Sequence, residues 1–190
     1  MTQEEILEIF KKTGALLEGH FILTSGYHSQ DYFQCAKVLQ FPEYNEKFSS
    51  LIADKFKDRK ITLVISPAIG GIVFGTEVGR QLNARTIFTE RENNVMTLRR
   101  GFEIFDTDRV LICEDVITTG GSVKEIIDII KHKTKAEIVG AACIVDRSGG
   151  KINFDEELHS LAKLDLIKYK ETEIPDWLQK IPVTKPGSRK

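Results

Sequence analysis

Apolar residues recur along the chain with helical spacing in some stretches and as short β-branched runs in others. Helical spacing first occurs at residues 3–12, where Ile6, Leu7, Ile9 and Phe10 lie among charged residues. A second amphipathic helix is predicted after Pro42, with apolar positions at Phe48, Leu51, Ile52 and Phe56. Between them, residues 19–35 carry two apolar and aromatic runs around Ser25-Gly26, which predicts a hairpin-like N-terminal piece.

The middle of the chain alternates strand-like runs with helical patterns. The predicted strands are Ile61–Ser66, Thr86–Thr89, Val110–Cys113 and Ile138–Val145. Glycine-containing turns lead from the first and third of these into helices, and Gly75 and Gly79 would let the first helix pack closely on a sheet. This order predicts an α/β fold with a central, mostly parallel sheet flanked by helices and right-handed crossovers. We expect one domain, with a small hood over about residues 1–40 and a core over about 60–170.

Two stretches are less regular. Residues 90–100 are polar and lack a buried face, which is typical of a mobile loop or a solvent-exposed hairpin. Beyond Gly150, the spacing of Leu158, Leu161, Ala162 and Leu164 predicts a helix, and Leu166–Tyr169 a last strand.

Polar segments follow three of the predicted strands: Ser66–Gly71, Glu114–Ser122 and Asp146-Arg147. Because ligands of open α/β sheets bind at the carboxyl ends of strands, we expect these segments to gather at one edge of the sheet.

The second of these segments has the most specific chemistry. Two acids, Glu114 and Asp115, precede the turn Thr118–Ser122, which opens into a helical pattern. Backbone N–H groups at a helix N-terminus favour a phosphate, and carboxylates accept hydrogen bonds from sugar hydroxyls, so the stretch predicts a ribose phosphate site. The alternative is an ordinary tight turn with a solvated acid pair. The patterns G-x-x-x-x-G-K-[ST] and G-x-G-x-x-G are both absent from the chain.

Composition narrows the class of protein. The 190 residues include 27 basic and 28 acidic side chains, so no basic excess favours sequence-independent binding of nucleic acid. Acids near the N-terminus and the lack of a long apolar run argue against a signal peptide or a membrane span, and we expect a cytoplasmic protein. Cys113 and Cys143 lie in apolar runs typical of buried thiols, and the histidines lack metal-ligand spacing, so we expect no zinc site.

Several motifs together resemble the type I phosphoribosyltransferases, and among these the orotate-using enzymes. The acid pair with Thr118–Ser122 resembles the family's phosphoribosyl diphosphate (PRPP) motif. The wider resemblance covers most of the chain and lies in Leu23–Phe33, Ser66–Gly71, Phe88–Ile104, Val145–Gly150 and Lys185–Arg189. It implies transfer of a 5-phosphoribosyl group from PRPP to orotate, giving orotidine 5-phosphate and diphosphate, with Mg²⁺ carried mainly by PRPP and located near Asp115.

The resemblance also assigns roles to individual residues. Glu114 and Asp115 would bind the ribose hydroxyls and stabilise charge in the transition state, with Arg91 as a catalytic cation. The implied PRPP contacts are Glu114, Asp115, Val116, Ile117, Thr118, Thr119, Gly120, Gly121, Ser122 and Arg91. The diphosphate loop would comprise Ala68, Ile69, Gly70 and Gly71, with a non-proline cis peptide near its first two residues.

For orotate, the implied contacts are Arg147, Thr118, Tyr32 and Phe33. A guanidinium group can pair with the orotate carboxylate through two hydrogen bonds. The alternative for Arg147 is a surface arginine paired with Asp146. For Tyr32 and Phe33, packing in the core is an equally good interpretation.

The chain departs from the family pattern at several cationic positions. Thr24 and Gly70 stand where many orotate enzymes carry lysines, and residues 90–96 lack the usual loop lysines and histidine. Arg91 takes one of those positions, and Arg99 and Arg100 are candidates for further diphosphate contacts. The loop's role in the family implies a homodimer with shared active sites. Two alternatives stay open: a phosphoribosyltransferase for a purine or another base, and a regulator that binds PRPP without turnover.

Overall fold

The structure is a computed structural model that describes residues 1–23, 25–152 and 154–186. The helices are α1 (Gln3–Lys12), α2 (Ala36–Leu39), α3 (Pro42–Phe56), α4 (Gly70–Leu82), α5 (Gly121–Lys133) and α6 (Asp176–Gln179). The strands are β1 (Leu16–Ile22), β2 (His28–Phe33), β3 (Leu63–Pro67), β4 (Arg85–Glu92), β5 (Val95–Leu98), β6 (Arg109–Ile117), β7 (Glu137–Asp146), β8 (Leu158–Lys163), β9 (Lys168–Tyr169) and β10 (Val183–Thr184). None of the helices within these ranges is long and apolar enough to cross a membrane.

The chain divides into two compact units, and the smaller one combines residues 1–38 with residues 165–190. Its described sheet has the order β10-β1-β2-β9, and β1 and β2 form the antiparallel hairpin predicted from the sequence. Thr2 caps α1 in a capping box with Glu5. His20 Nε2 lies 2.7 Å from His28 Nδ1, and His20 Nδ1 lies 3.2 Å from the carbonyl oxygen of Ile181. The first contact joins the two strands of the hairpin, and the second ties the hairpin to the C-terminal segment.

The larger unit, residues 39–164, contains a sheet of order β5-β4-β3-β6-β7-β8 in its described part. All pairs in this sheet are parallel except β4 with β5. Its apolar core is built on β3, β6 and β7 together with α5, whose Val123, Ile126, Ile127 and Ile130 are buried as their spacing predicted. The α/β prediction is therefore confirmed, and each predicted core strand is present with somewhat different ends.

Glycines allow α4 to approach the sheet closely. A Cβ atom at Gly75 would overlap the side chain of Ser66 on β3, and one at Gly79 would overlap Thr86 on β4. The close packing predicted for these two positions is confirmed.

Residues 90–100 form a hairpin, the second of the two structures that the sequence allowed. Strands β4 and β5 pair antiparallel from Thr89 with Leu98 to Glu92 with Val95. The turn between them has φ values of 50° at Asn93 and 65° at Asn94. Two successive residues with positive φ are typical of a type I′ turn, whose twist suits a two-residue hairpin, and asparagine tolerates that conformation better than most residues.

The helix predicted around Leu158–Leu164 is wrong, because this segment contains strand β8. It pairs in parallel with β7, from Ala141 with Leu158 to Asp146 with Lys163. Backbone pairing at the sheet edge outweighs an apolar spacing that also fits a helix. The predicted strand at Leu166–Tyr169 is present only as the two-residue β9, which pairs with β2, and β10 follows it.

Candidate active site

The two acids lie within β6. The sequence had instead predicted a strand that ends before them, at Cys113. Glu114 and Asp115 are both half-buried near the carboxyl end of β6, and Glu114 pairs with Cys143 of β7. The backbone N–H of Asp115 donates to Oε1 of Glu114 at 3.2 Å. Strand β6 lies between β3 and β7, so the acids lie on an inner strand, near the carboxyl ends of the parallel strands.

Glu114 has a strongly perturbed carboxyl group. Burial, followed by the neighbouring charge of Asp115 and a side-chain hydrogen bond with it, raises the pKa of Glu114 from 4.5 to about 9. A protonated carboxyl both donates and accepts hydrogen bonds, so Glu114 can pair with a sugar hydroxyl in either direction. Perturbed carboxyl groups of this kind are typical of functional sites.

The turn after β6 forms a small concave pocket of about 50 Å³, lined by Glu114 and by residues 116–123. Helix α5 begins at Gly121, so the N–H groups of its first turn have no intrahelical acceptors. Gly120 has a φ of 74°, and a Cβ atom there would lie 2.9 Å from the ring of Phe154. Glycine is therefore required at position 120 for both its conformation and its space. The pocket has the features of a phosphate cradle.

The loop after β3 lies beside the acids. The peptide bond between Ala68 and Ile69 is cis, at the position that the sequence analysis predicted. The N–H of Ala68 donates to the carbonyl oxygen of Thr89 at 2.8 Å, which ties the loop to β4. Ile69 is 82% exposed, and α4 starts directly after it at Gly70.

Arg147 follows β7 at the same edge of the sheet. Its backbone N–H donates to the carbonyl oxygen of Ile117 at 2.8 Å, so the ends of β6 and β7 are held together. Asp146 is buried and accepts a hydrogen bond from the backbone N–H of Ser148 at 2.8 Å. The three segments expected to gather at one sheet edge therefore do so, since β3, β6 and β7 are parallel neighbours.

The arginines of the β4–β5 hairpin are paired with carboxylates. Arg91 donates to both carboxylate oxygens of Glu125 on α5, at 3.0 and 2.7 Å, and to the carbonyl oxygen of Asn94 at 2.8 Å. Arg100 pairs with both oxygens of Glu90 at 2.7 and 2.8 Å, and Arg99 lies 3.4 Å from Glu92. The sequence analysis predicted these arginines as cations for a diphosphate but did not anticipate their acidic partners.

The aromatic pair belongs to the smaller unit. The Phe33 ring is buried and lies 4.9 Å from that of Phe10 in an edge-to-face contact, and Tyr32 lies 5.7 Å from Phe21. Packing in this unit thus accounts for Phe33, and contact of either residue with orotate stays a prediction. Thr24 and Gly187–Arg189, which the resemblance also used, lie outside the described residues.

The acid pair offers oxygen ligands that suit Mg²⁺, a hard cation. Within the described ranges, no three His, Cys, Asp or Glu side chains come together in a group that could hold a metal ion. The Asp115 carboxylate therefore fits a magnesium ion that takes most of its ligands from a bound substrate and water.

Comparison with known proteins agrees with this geometry. Residues 36–170 match the family of the phosphoribosyl transferase domain, and the chain belongs to this family. Proteins named orotate phosphoribosyltransferase from Caldanaerobacter subterraneus subsp. tengcongensis and Caldicellulosiruptor saccharolyticus are 52% and 53% identical to it over 190 residues. These matches cover the whole of this chain and 100% and 99% of the relatives.

The fold also agrees with that of a solved phosphoribosyltransferase structure. The crystal structure of orotate phosphoribosyltransferase from Aeropyrum pernix superposes with a TM-score of 0.71 at 23% identity, over 84% of this chain and 93% of that one. The predicted type I phosphoribosyltransferase fold is thus confirmed.

Proposed function

We propose that this protein is an orotate phosphoribosyltransferase, which transfers the 5-phosphoribosyl group of PRPP to N1 of orotate and releases diphosphate. The observation that carries the proposal is the meeting of three segments at the carboxyl ends of β3, β6 and β7: the loop after β3, the acid pair with the phosphate cradle after it, and Asp146-Arg147. Relatives that bear this name share about half of the sequence over its full length.

The ribose phosphate half of PRPP fits the end of β6. The 5-phosphate would lie in the cradle at residues 118–122, where N–H groups of the first turn of α5 and the hydroxyls of Thr118, Thr119 and Ser122 donate hydrogen bonds. Glu114 and Asp115 would bind the ribose hydroxyls. Asp115 places negative charge beside the ribose, where positive charge develops as the bond to diphosphate breaks, whereas the protonated Glu114 contributes hydrogen bonds.

The diphosphate would bind along residues 68–71 through backbone N–H groups. When bound, magnesium would neutralise part of the diphosphate charge, with the Asp115 carboxylate beside it. Arg91, Arg99 and Arg100 are the proposed cations for the leaving group. Positioning and electrostatics supply most of the rate, because the protein forms no covalent intermediate in this scheme.

For orotate, Arg147 would pair with the carboxylate and Thr118 would contact the ring. Tyr32 and Phe33 remain proposed contacts of the base from the resemblance alone. As the bond to diphosphate breaks, N1 of orotate bonds to the anomeric carbon and loses its proton, which the departing diphosphate or water would accept, so this scheme needs no strong general base on the protein.

The resemblance supports a homodimer in which the β4–β5 hairpin of one subunit serves the site of its partner. A cytoplasmic location is part of the same proposal.

A spectrophotometric assay with orotate, PRPP and Mg²⁺ tests the activity. The proposal predicts loss of orotate that depends on both PRPP and Mg²⁺, with orotidine 5-phosphate as product. Absence of orotate consumption by a protein that turns over adenine, xanthine or uracil would refute it. Binding of PRPP with no turnover of any base would instead favour the regulator.

A further inference from the structure

The connection between β7 and β8 is attached both to the sheet edge and to α5. Its described part comprises residues 147–152 and 154–157, and it begins with Arg147 directly after β7. Near its other end, the side chain of Glu156 is 11% exposed and lies 2.7 Å from Nζ of Lys131, close to the end of α5. The connection therefore links the candidate active site to the far half of this helix.

Two apolar side chains of the connection lie against Gly120, the residue before α5. A Cβ atom at Gly120 would lie 2.9 Å from Cζ of Phe154, and 3.0 and 3.2 Å from two side-chain carbons of Ile152. Gly120 has a φ of 74°, and its carbonyl oxygen accepts a hydrogen bond from the N–H of Lys124 at 2.9 Å. The contact is thus made where the chain turns from the phosphate cradle into the helix.

Ile152 and Phe154 support the cradle and are not part of its lining. The pocket is lined by Glu114 and by residues 116–123. Ile152 and Phe154 are partly buried and pack against the apolar core, which includes Val123 and Ile126 of α5. Hydrocarbon side chains offer an anion no hydrogen-bond donor, so their effect on a bound phosphate must act through the backbone that they contact.

The backbone at Gly120 gains from this support because glycine has more conformational freedom than any other residue. A phosphate at the start of a helix is held by N–H groups that point in fixed directions. Rotation about the backbone of Gly120 would change those directions. Packing from Phe154 and Ile152 restricts the turn before a ligand arrives, and a preorganised site loses less conformational entropy on binding.

We propose that Phe154, together with Ile152, is a positioning residue that holds the Gly120 turn in the conformation that binds the 5-phosphate of PRPP. This inference rests on the proposed binding of PRPP at the cradle. It gives the β7–β8 connection two tasks, because the same segment begins with Arg147, the proposed partner of the orotate carboxylate.

Separate ligands for the two halves of PRPP distinguish positioning from a general loss of stability. Ribose 5-phosphate carries the phosphate that the cradle would bind, whereas diphosphate with Mg²⁺ would bind along residues 68–71. For Phe154→Ala we expect calorimetric dissociation constants of ribose 5-phosphate and PRPP that rise about 10-fold, of the order of one hydrogen bond to a charged group. The dissociation constant of diphosphate should stay at the wild-type value. Phe154→Leu keeps an apolar contact with Gly120 and should recover most of the affinity.

Two further variants complete the test. Ile152→Ala removes the second contact with Gly120 and should show the same selective loss to a smaller degree, which decides the matter if Phe154→Ala does not fold. Phe105→Ala is the matched control, because it removes an exposed aromatic ring that lies 4.6 Å from the guanidinium of Arg85, at the amino end of β4. It should bind ribose 5-phosphate as the wild type does.

Wild-type affinity of Phe154→Ala and Ile152→Ala for ribose 5-phosphate would overturn the proposal, and so would equal losses for ribose 5-phosphate and diphosphate. Because neither ligand contains a base, these results hold whichever base the protein accepts. Failure of the wild type to bind PRPP would overturn the proposed function itself, and this inference with it.

Discussion

Arg91 and Glu125 form a two-hydrogen-bond ion pair that joins the β4–β5 hairpin to α5, the helix that starts at the phosphate cradle. Both side chains are partly exposed, at 44% and 38%, and pairs of this type contribute about 0–1 kcal/mol to stability. Such a pair exchanges readily for another anion. The role proposed for Arg91 toward a diphosphate therefore requires only that this weak pair opens.

We predict that Arg91→Ala lowers kcat about 100-fold, because loss of one preorganised group that stabilises charge in a transition state has a cost of this order. Steady-state kinetics with orotate, PRPP and Mg²⁺ measure the change. Glu125→Gln is the matched control, since it removes the partner and keeps the arginine, and it should retain most of kcat. An Arg91→Ala variant with wild-type kcat would show that the diphosphate cation lies elsewhere.

Arg147→Ala should raise KM for orotate about 10- to 100-fold, because a charge-assisted pair with a carboxylate contributes about 1.5–3 kcal/mol. KM for PRPP should change much less. Arg147→Lys keeps the charge and loses the two-pronged geometry, so it should recover only part of the orotate affinity. Equal losses for both substrates would contradict the assignment of Arg147 to the base.

Asp115→Asn should reduce turnover strongly, by about 100-fold or more, since it removes negative charge beside the ribose. The substitution is nearly isosteric and Asp115 is only half-buried, so the melting temperature should stay close to that of the wild type. Rates and thermal melting on the same preparation test both statements. A near-wild-type rate would mean that the acids are misassigned.

Glu114 predicts a pH dependence of stability. The folded protein keeps this carboxyl protonated up to about pH 9, whereas the unfolded chain releases the proton near its ordinary pKa of 4.5. The folded state therefore binds more protons in this window, so this group's contribution to the free energy of unfolding falls as pH rises from about 5 to about 9.

Glu114→Gln retains a neutral polar side chain and removes the titration. Its free energy of unfolding, from urea titrations across the same window, should fall less with pH than that of the wild type. Glu43→Gln, at an exposed position on α3, is the control and should follow the wild-type profile. Identical profiles for Glu114→Gln and the wild type would show that Glu114 ionises normally.

Sequence patterns predicted the parts of this fold that depend on residues close together in the sequence. The β-branched runs and the glycine turns predicted the parallel sheet, and the order of strands and polar segments predicted the edge at which Glu114, Ala68 and Arg147 meet. The position of β8 was missed because its apolar spacing fits a helix equally well, and only pairing with β7 decides between them.

Contacts between distant residues were beyond the sequence patterns. The pairing of Arg91 with Glu125 needs the hairpin and α5 to be placed first, and the contact of Phe154 with Gly120 exists only once the β7–β8 connection is packed on α5.

A competition between bases tests the central claim most directly. The protein is incubated with PRPP, Mg²⁺ and equal concentrations of orotate, adenine, xanthine and uracil, and the nucleotide products are identified by mass spectrometry. Our account predicts orotidine 5-phosphate as the dominant product in the wild type and a large loss of that product in Arg147→Ala. A purine nucleotide or uridine 5-phosphate as the dominant product of the wild type would contradict it.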